Sequence, residues 1–342
     1  MHPAQSTYGS DKVGLVWGYL FAPGRPGRSV SSDEVGDRLE SGPASEPGGF
    51  LWLHFNLANA ASEHWLRQRL SLPDAFHESL HQTSSHHGSS TRVELAGDSV
   101  VAVLNDVLFF ARDKSDASTV SLCADRHMLV SARTSPLRSI DQLRAAVKAG
   151  ECFRSPAELV AHLLRDQADV LVQIVRETTT QVDIVEDKLF GGHGRSSRPK
   201  LGSLRRTLVR LQRLLAPEPA ALFRLLNRPP SWMSADDVQD LRQSAEELSA
   251  AVADSVALVE RVRLLQEELI ALVNEQTNRT LFVLTVVTVL ALPMMIIPGL
   301  LGMNIGGIPL QQNDAGFWLV VALTMSIVAL GAWVVFGRRG DY

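Results

Sequence analysis

The stretch from Thr280 to Asn313 contains no Asp, Glu, Lys, Arg or His, and neither does the stretch from Ala315 to Gly337. A membrane-crossing helix needs about 20 predominantly apolar residues, so each run is long enough to span once. Asp314 is the single charge between them. The first 279 residues, by contrast, carry charge at ordinary density. The mean hydropathy of +0.05 therefore averages a water-facing body with two greasy segments. The opening residues, MHPAQSTYGSDK, lack the apolar core of a signal peptide, so the body is expected to stay in the cytoplasm. Arg279 precedes the first span, Arg338 and Arg339 follow the second, and the connecting loop has no Lys or Arg. The positive-inside rule then puts both termini in the cytoplasm and the loop outside.

The body divides into two parts. Residues 1–154 read as an α/β domain, with strand-like runs VGLVWGYLF, LWLHFNL, SVVAVLNDVLFF, TVSLCA and MLVSAR bounded by Gly, Asp and Ser. Short helices are expected at 62–70, 73–81 and 136–149, and the Pro/Gly/Ser-rich segments PGRPGRSVSS and SGPASEPGG read as loosely ordered. Residues 155–279 read as a helical stalk. SPAE supplies Ser155 as cap, Pro156 at the first helical position and Glu158 to close a capping box. That helix should stop near Phe190 at GGHG, and a second should return over 199–227. A third, capped by Ser234, meets no Pro or Gly from Ala235 through Leu292. It can run unbroken from the stalk into the first span, for a length of roughly 100 Å. The remaining segments are a first transmembrane helix at 280–303, an external loop at 304–314, a second transmembrane helix at 315–337 and a cytoplasmic tail at 338–342.

Two helices cannot enclose a pore, so a conduction path requires several copies around a symmetry axis. The alternative is that the spans are only an anchor. Asn278, Leu281, Leu284, Thr288, Leu292, Met295, Gly299 and Gly302 recur every three or four residues and share one face. Facing an axis, that stripe alternates bulky apolar levels with small or polar ones, the arrangement of a dewetting gate. Facing a neighbouring helix, it is ordinary packing.

The first span ends in Gly302-Met303-Asn304 and continues IGGIPL. This pattern resembles the CorA superfamily of two-span divalent-cation transporters, and within it the zinc-transporting ZntB branch, whose Asn is commonly followed by Gly-Gly-Ile-Pro. WLHFN, LLAPEPAALFRLL and WMSADD resemble further landmarks of that branch. The resemblance implies a bacterial inner-membrane homopentamer with a cytoplasmic α/β funnel and a stalk helix continuous with the pore helix. It places Gly302, Met303 and Asn304 at the outer pore mouth and Asn278, Leu281, Leu284, Leu292 and Met295 along the pore. It also implies a transported divalent cation, Zn2+ first, with Mg2+, Co2+ or Ni2+ as the alternative cargo, and no resident cofactor. A non-conducting, membrane-anchored metal sensor or scaffold is the alternative from another class.

The chemistry of these residues fits such a mouth. The Asn amide oxygen is a neutral acceptor, so a ring of them can hold the water shell of a cation and still release it. The first span offers no Cys, His or carboxylate, the ligands that tight zinc sites use. Selectivity by ligand softness is therefore excluded there, and any proton coupling falls to Asp314 or to cytoplasmic groups. Glu260 and Glu267, one heptad apart, can draw cations into an acidic funnel. His77 and His81, at i and i+4 on a helix, have a spacing that can hold a metal, and His86 and His87 lie close by in sequence. Net charge is −4, and no basic tract with interleaved aromatics argues for nucleic acid. The two cysteines make no disulfide framework. No phosphate-binding loop or hydrolase motif is present. His54 and Asp106 are conceivable as a base pair, but no nucleophile accompanies them, so no enzyme activity is expected.

Overall fold

The computed structural model describes residues 9–40, 48–84, 91–108, 116–191, 198–303 and 315–337. The chain divides into two compact units, 1–265 and 266–342. The first is built on a seven-stranded sheet of order β2-β1-β3-β7-β6-β5-β4. Its strands are β1 (Leu15–Ala22), β2 (Arg25–Val30), β3 (Phe50–Asn56), β4 (Arg92–Ala96), β5 (Ser99–Val107), β6 (Ala117–Ala124) and β7 (Met128–Arg133). Only β3 and β7 pair in parallel; all other neighbours are antiparallel.

Alternation along the strands feeds two cores. Leu53, Phe55, Val101, Cys123 and Val130 pack with Val35 of α1 (Ser32–Glu40), Leu66 of α2 (Ala61–Arg69), and Phe76 and Leu80 of α3 (Asp74–Ser84). Trp17, Tyr19, Trp52, Leu104, Leu122 and Leu129 face the other way. They pack with Ile140 and Leu143 of α4 (Arg138–Lys148) and with Leu159, Leu163 and Leu171 of α5 (Pro156–Phe190).

The sheet edges depart from the sequence expectation. PGRPGRSVSS contributes β2 rather than a loose segment, and β4 and α1 were not foreseen. In β2 only Val30 is buried, so the strand shows no apolar pattern. Pro26 is tolerated because an edge strand has a side that needs no N–H donor. The helix expected over 199–227 is two: α6 (Arg198–Leu215) and α7 (Pro217–Leu226). Pro217 has no N–H to continue the ladder and occupies the first position of α7.

The stalk joint is set by caps. Ser155 Oγ accepts Glu158 N at 3.1 Å, as expected, but Glu158 returns to Arg154 N at 2.6 Å, one residue earlier than a capping box requires. Ser155 Oγ also donates to Asp237 Oδ1 at 2.6 Å. Asp237 Oδ2 in turn accepts Ser234 N and Ser234 Oγ at the start of α8 (Ala235–Leu301), at 3.1 and 2.7 Å. One carboxylate thus ties the N-terminus of α5 to that of α8. Burial raises its pKa, but the hydrogen bonds from Ser155 and Ser234, with Arg154 beside it, hold it below the ordinary carboxylate range. Further along, Arg261 of α8 pairs with Asp183 at 2.8 Å and with Glu186, both on α5.

His54 and Asp106 are separately engaged. His54, fully buried, stacks on Trp17 with ring centroids 4.1 Å apart. Its Nε2 accepts Arg133 Nε at 2.7 Å, so Nδ1 carries the proton it shares with Ser131 Oγ at 2.7 Å. Asp106 instead binds Ser139 through its N and Oγ, at 2.9 and 2.8 Å. Burial first, then Arg133 and Arg144, push the pKa of His54 well below its ordinary value. A depressed histidine supplies stability above its unfolded pKa, and that stability is lost as pH falls through about 6.5, at up to about 1.4 kcal/mol per pH unit. His54→Gln is expected to remove this acid-side slope from the melting temperature of the purified full-length protein between pH 6.5 and 5. Superimposable wild-type and variant profiles would contradict it.

Candidate functional site

Among the described residues two helices are long and apolar enough to cross a membrane: the apolar part of α8, with mean hydropathy 2.5, and α9 (Gly316–Gly337), with 1.9. Their hydroxyls bond within their own helices. Thr285 and Thr288 donate to the Leu281 and Leu284 carbonyls at 2.8 Å, and Thr324 and Ser326 to those of Val320 and Ala322 at 2.9 and 2.8 Å. A donor so used costs nothing in lipid, while the oxygen keeps lone pairs to accept with. The first span, expected over 280–303 with Pro293 and Pro298 inside it, is helical through both prolines as far as Leu301. Gly302 N then donates to the Pro298 carbonyl at 2.8 Å. A Cβ on Gly302 would stand 3.0 Å from that same oxygen, which is why glycine closes this turn.

The two helices cover each other along narrow stripes. On α9 the buried and half-buried positions are Gly316, Val320, Thr324, Val328, Gly331 and Ala332, the first five spaced by four and then three. On α8 they include Phe282, Val286, Leu290, Pro293 and Ile297. A Cβ on Gly331 would lie 3.7 Å from Val289 Cγ1, within van der Waals contact. The face singled out from the sequence is a different one, and it is bare. Leu281, Leu284, Leu292 and Met295 are 55, 62, 49 and 75% exposed, and Asn278, Thr288, Gly299, Gly302 and Met303 are exposed with them. The α9 stripe was not singled out from the sequence, although its four-residue spacing of small side chains is readable there. Asn304 and Asp314 lie outside the described residues.

The histidine and glutamate candidates outside the spans separate. His77 is buried, its Nδ1 has no hydrogen-bond partner among the described residues, and burial, helped by Arg67, lowers its pKa. His81 is exposed, and its Nε2 lies 3.3 Å from Glu63 Oε1. Among the described residues no three of His, Cys, Asp and Glu come together as a metal-ligand set; His86 and His87 lie outside them. Glu260 and Glu267 are exposed on α8, Glu260 within 3.7 Å of Arg263.

A seven-stranded sheet domain, one long helix and two apolar helices long enough to cross a membrane define, by class, a protein with two candidate membrane spans. Residues 47–339 match the CorA-like Mg2+ transporter protein family, and the chain belongs to it. The chain is 29% identical over 341 residues to the divalent cation transporter CmaX of Pseudomonas aeruginosa, covering 98% of each. It is 25% identical over 288 residues to the zinc transport protein ZntB of Pectobacterium atrosepticum, covering 82% of this chain and 85% of that one. The solved full-length CmaX structure aligns with a TM-score of 0.79 at 28% identity, over 97% of this chain and 99% of that chain.

Since Gly331 packs against Val289, filling that contact should separate the hairpin. Gly331→Leu is expected to destabilise the full-length protein by about 1–3 kcal/mol, as overpacking does. The check is a lowered melting temperature in detergent, and an unchanged one would contradict the packing.

Proposed function

We propose that this protein moves a divalent cation across the bacterial inner membrane through a pore formed by several copies, five in the arrangement the family resemblance implies. The observation that carries this reading is the bare stripe of α8, from Asn278 to Gly302-Met303. It is uncovered within the chain and continues in sequence to Asn304. Other positions of α8, Val283, Val287 and Leu300 among them, are as exposed, as they would be in a plain anchor. The stripe differs in carrying Asn278, Thr288, Gly299 and Gly302 among its bulky apolar levels, which an anchor has no need of. In a ring, Leu281, Leu284, Leu292 and Met295 form apolar constrictions, and Asn278 and Thr288 wetter levels between them. Exposed Val256 and Leu264 on the stalk part of α8, at 43 and 57%, fit burial against neighbouring copies. Residues 1–154 and 155–279 are the cytoplasmic funnel and stalk, 280–303 and 315–337 the spans, 304–314 the outer loop and 338–342 the inner tail.

Zinc is the cargo favoured by Gly-Gly-Ile-Pro after Asn304, the feature shared with the ZntB branch. Magnesium, cobalt or nickel is the second reading, and the pore chemistry favours keeping it. Neutral amide and carbonyl oxygens discriminate by hydration and size, not by softness. Asp314 and the Glu260 and Glu267 carboxylates draw cations toward the two ends, and Asp314 is the outer candidate for proton coupling. His77 and His81 are the cytoplasmic candidates for sensing metal.

The test is ion entry into liposomes carrying the purified full-length protein, with zinc and magnesium run side by side, with and without a proton gradient. Each amide hydrogen bond is worth about 0.5–1.5 kcal/mol net, so removing the ring in Asn304→Ala should lower flux by about tenfold or more. Flux equal to wild type in the variant rules out the mouth assignment, and no flux of either ion from oligomeric protein rules out transport. For the ring itself, Leu284→Cys in a Cys123→Ser/Cys152→Ser background should give cross-linked species between copies on oxidation. Only monomers after oxidation would exclude an axial position for Leu284.

A further inference from the structure

Strand β4 pairs with β5 only as far as Arg92↔Val103. Beyond that point the outer edge of β5 must find other partners for its backbone groups. At Asn105 it finds them in the helices. Glu218, near the start of α7, accepts Asn105 N through Oε1 at 2.6 Å. Gln167 of α5 donates to the Asn105 carbonyl at 2.8 Å. The Asn105 side-chain amide donates to the Leu214 carbonyl of α6 at 3.1 Å and to Thr91 Oγ1 at 3.0 Å. One residue of the sheet thereby holds α5, α6 and α7 together.

Glu218 is the anomalous member of this knot. It is fully buried, and its second carboxyl oxygen has no hydrogen-bond partner among the described residues. The nearby charges do not help it. On β5 its neighbour is the carboxyl of Asp106, itself pushed up to about 6 by burial and a like charge above that. Of the cations on the elements around it, Arg210 of α6 pairs with Asp116 at 3.1 Å and Arg92 of β4 with Glu94 at 2.8 Å, while Arg206 of α6 and Arg224 of α7 donate to the Gly202 and Ala220 carbonyls of their own helices. On α5, Arg165 binds Ser244 at 3.2 Å and Asp166 binds His162 at 3.2 Å. A buried carboxylate without a countercharge is costly, and the group takes up a proton instead.

We propose that Glu218 is a proton-binding site that latches the α6–α7 segment onto the edge of the sheet. With the proton bound, Oε1 accepts from Asn105 N and no net charge is buried. When the proton leaves, a bare anion faces Asp106 in the core, and the segment opens to give it water. Burial chiefly, with Asp106 adding and the Asn105 hydrogen bonds opposing, pushes this carboxyl up to about 8. The sign follows. The latch is fully held below the carboxyl's ordinary value, is progressively lost as pH rises, and stops weakening above about 8. Helix α7 also reaches the long helix: its Leu222 and Leu226 and Leu241 of α8 line one small apolar cavity with Ala102 and Leu122 of the sheet. Proton loss at Glu218 therefore loosens the packing that surrounds the beginning of α8. This inference goes beyond the transport reading and holds whichever ion is carried.

The experiment is hydrogen–deuterium exchange of the full-length protein in detergent from pH 6 to 9, corrected for the intrinsic rate. Protection of the α6–α7 amides in wild type is expected to fall by about tenfold per pH unit and to level off near pH 8, the linkage slope of a single carboxyl. Glu218→Gln, an isostere of the protonated form, should abolish the fall. Asp106→Asn should move the levelling-off to lower pH. A wild-type slope equal to that of α2–α3, or an unchanged slope in Glu218→Gln, overturns the proposal. Should Glu218→Gln fail to assemble, the wild-type contrast between the two regions and the Asp106→Asn shift decide it.

Discussion

A single helix, α8, has to satisfy two solvents with one uninterrupted backbone ladder. In its first part, water surrounds it, and Leu241, Ala245, Leu248, Val252, Leu258 and Val262 form one buried stripe. Past Arg279 the polar face disappears, and the whole circumference is apolar. Helix propensity cannot hold such an element; tertiary packing of its stripe must. The absence of Pro and Gly from Ala235 through Leu292 keeps the ladder intact across the change of solvent. The carboxylate of Asp237 and the ion pairs of Arg261 pin its water-facing part to α5.

Two buried carboxyls of the sheet domain sit where the ladder or a helix end leaves a backbone group open. Asp106 receives the N-terminal amide of α4 at Ser139. Glu218 receives the amide that β4 is too short to cover. His54, Ser131 and Arg133 instead join the parallel pair β3 and β7 by side chains. Hydrogen bonds of this kind add little net stability when made and cost a great deal when one partner is left alone. They specify which helix docks where, and the apolar cores on either face supply most of the free energy.

The central strands, the caps at Ser155 and Ser234 and both apolar helices were legible in the sequence because their signals are local. Alternation in LWLHFNL, the Ser-Pro pair before α5 and two uncharged runs each need only a short window. What was not legible depends on distant partners. β2 and β4 are edge strands, half wet, and their residues carry no apolar pattern. The break between α6 and α7 was written in Pro217, but the apolar periodicity running across it read as one helix. The role of Glu218 had no local mark at all, since an exposed glutamate after a proline looks the same in sequence. In the candidate pathway the three- and four-residue spacing identified a shared face, and the structure leaves that face open. Asn304 and Asp314 stand on motif and charge alone.

The composition of that open face sets what a ring of such helices can discriminate. Its levels offer methyl and thioether groups, one amide, a hydroxyl whose proton is spent on Leu284, and glycine backbone. None of these replaces the inner water of a small divalent cation with a stronger ligand. An ion therefore passes such levels only with most of its water in place, and the apolar rings act on the diameter of the hydrated ion. In a pore of this kind tight selection cannot reside in the first span. It must come from the ends, where carboxylates raise the local ion concentration, or from the water-facing body, which packs around the start of α8.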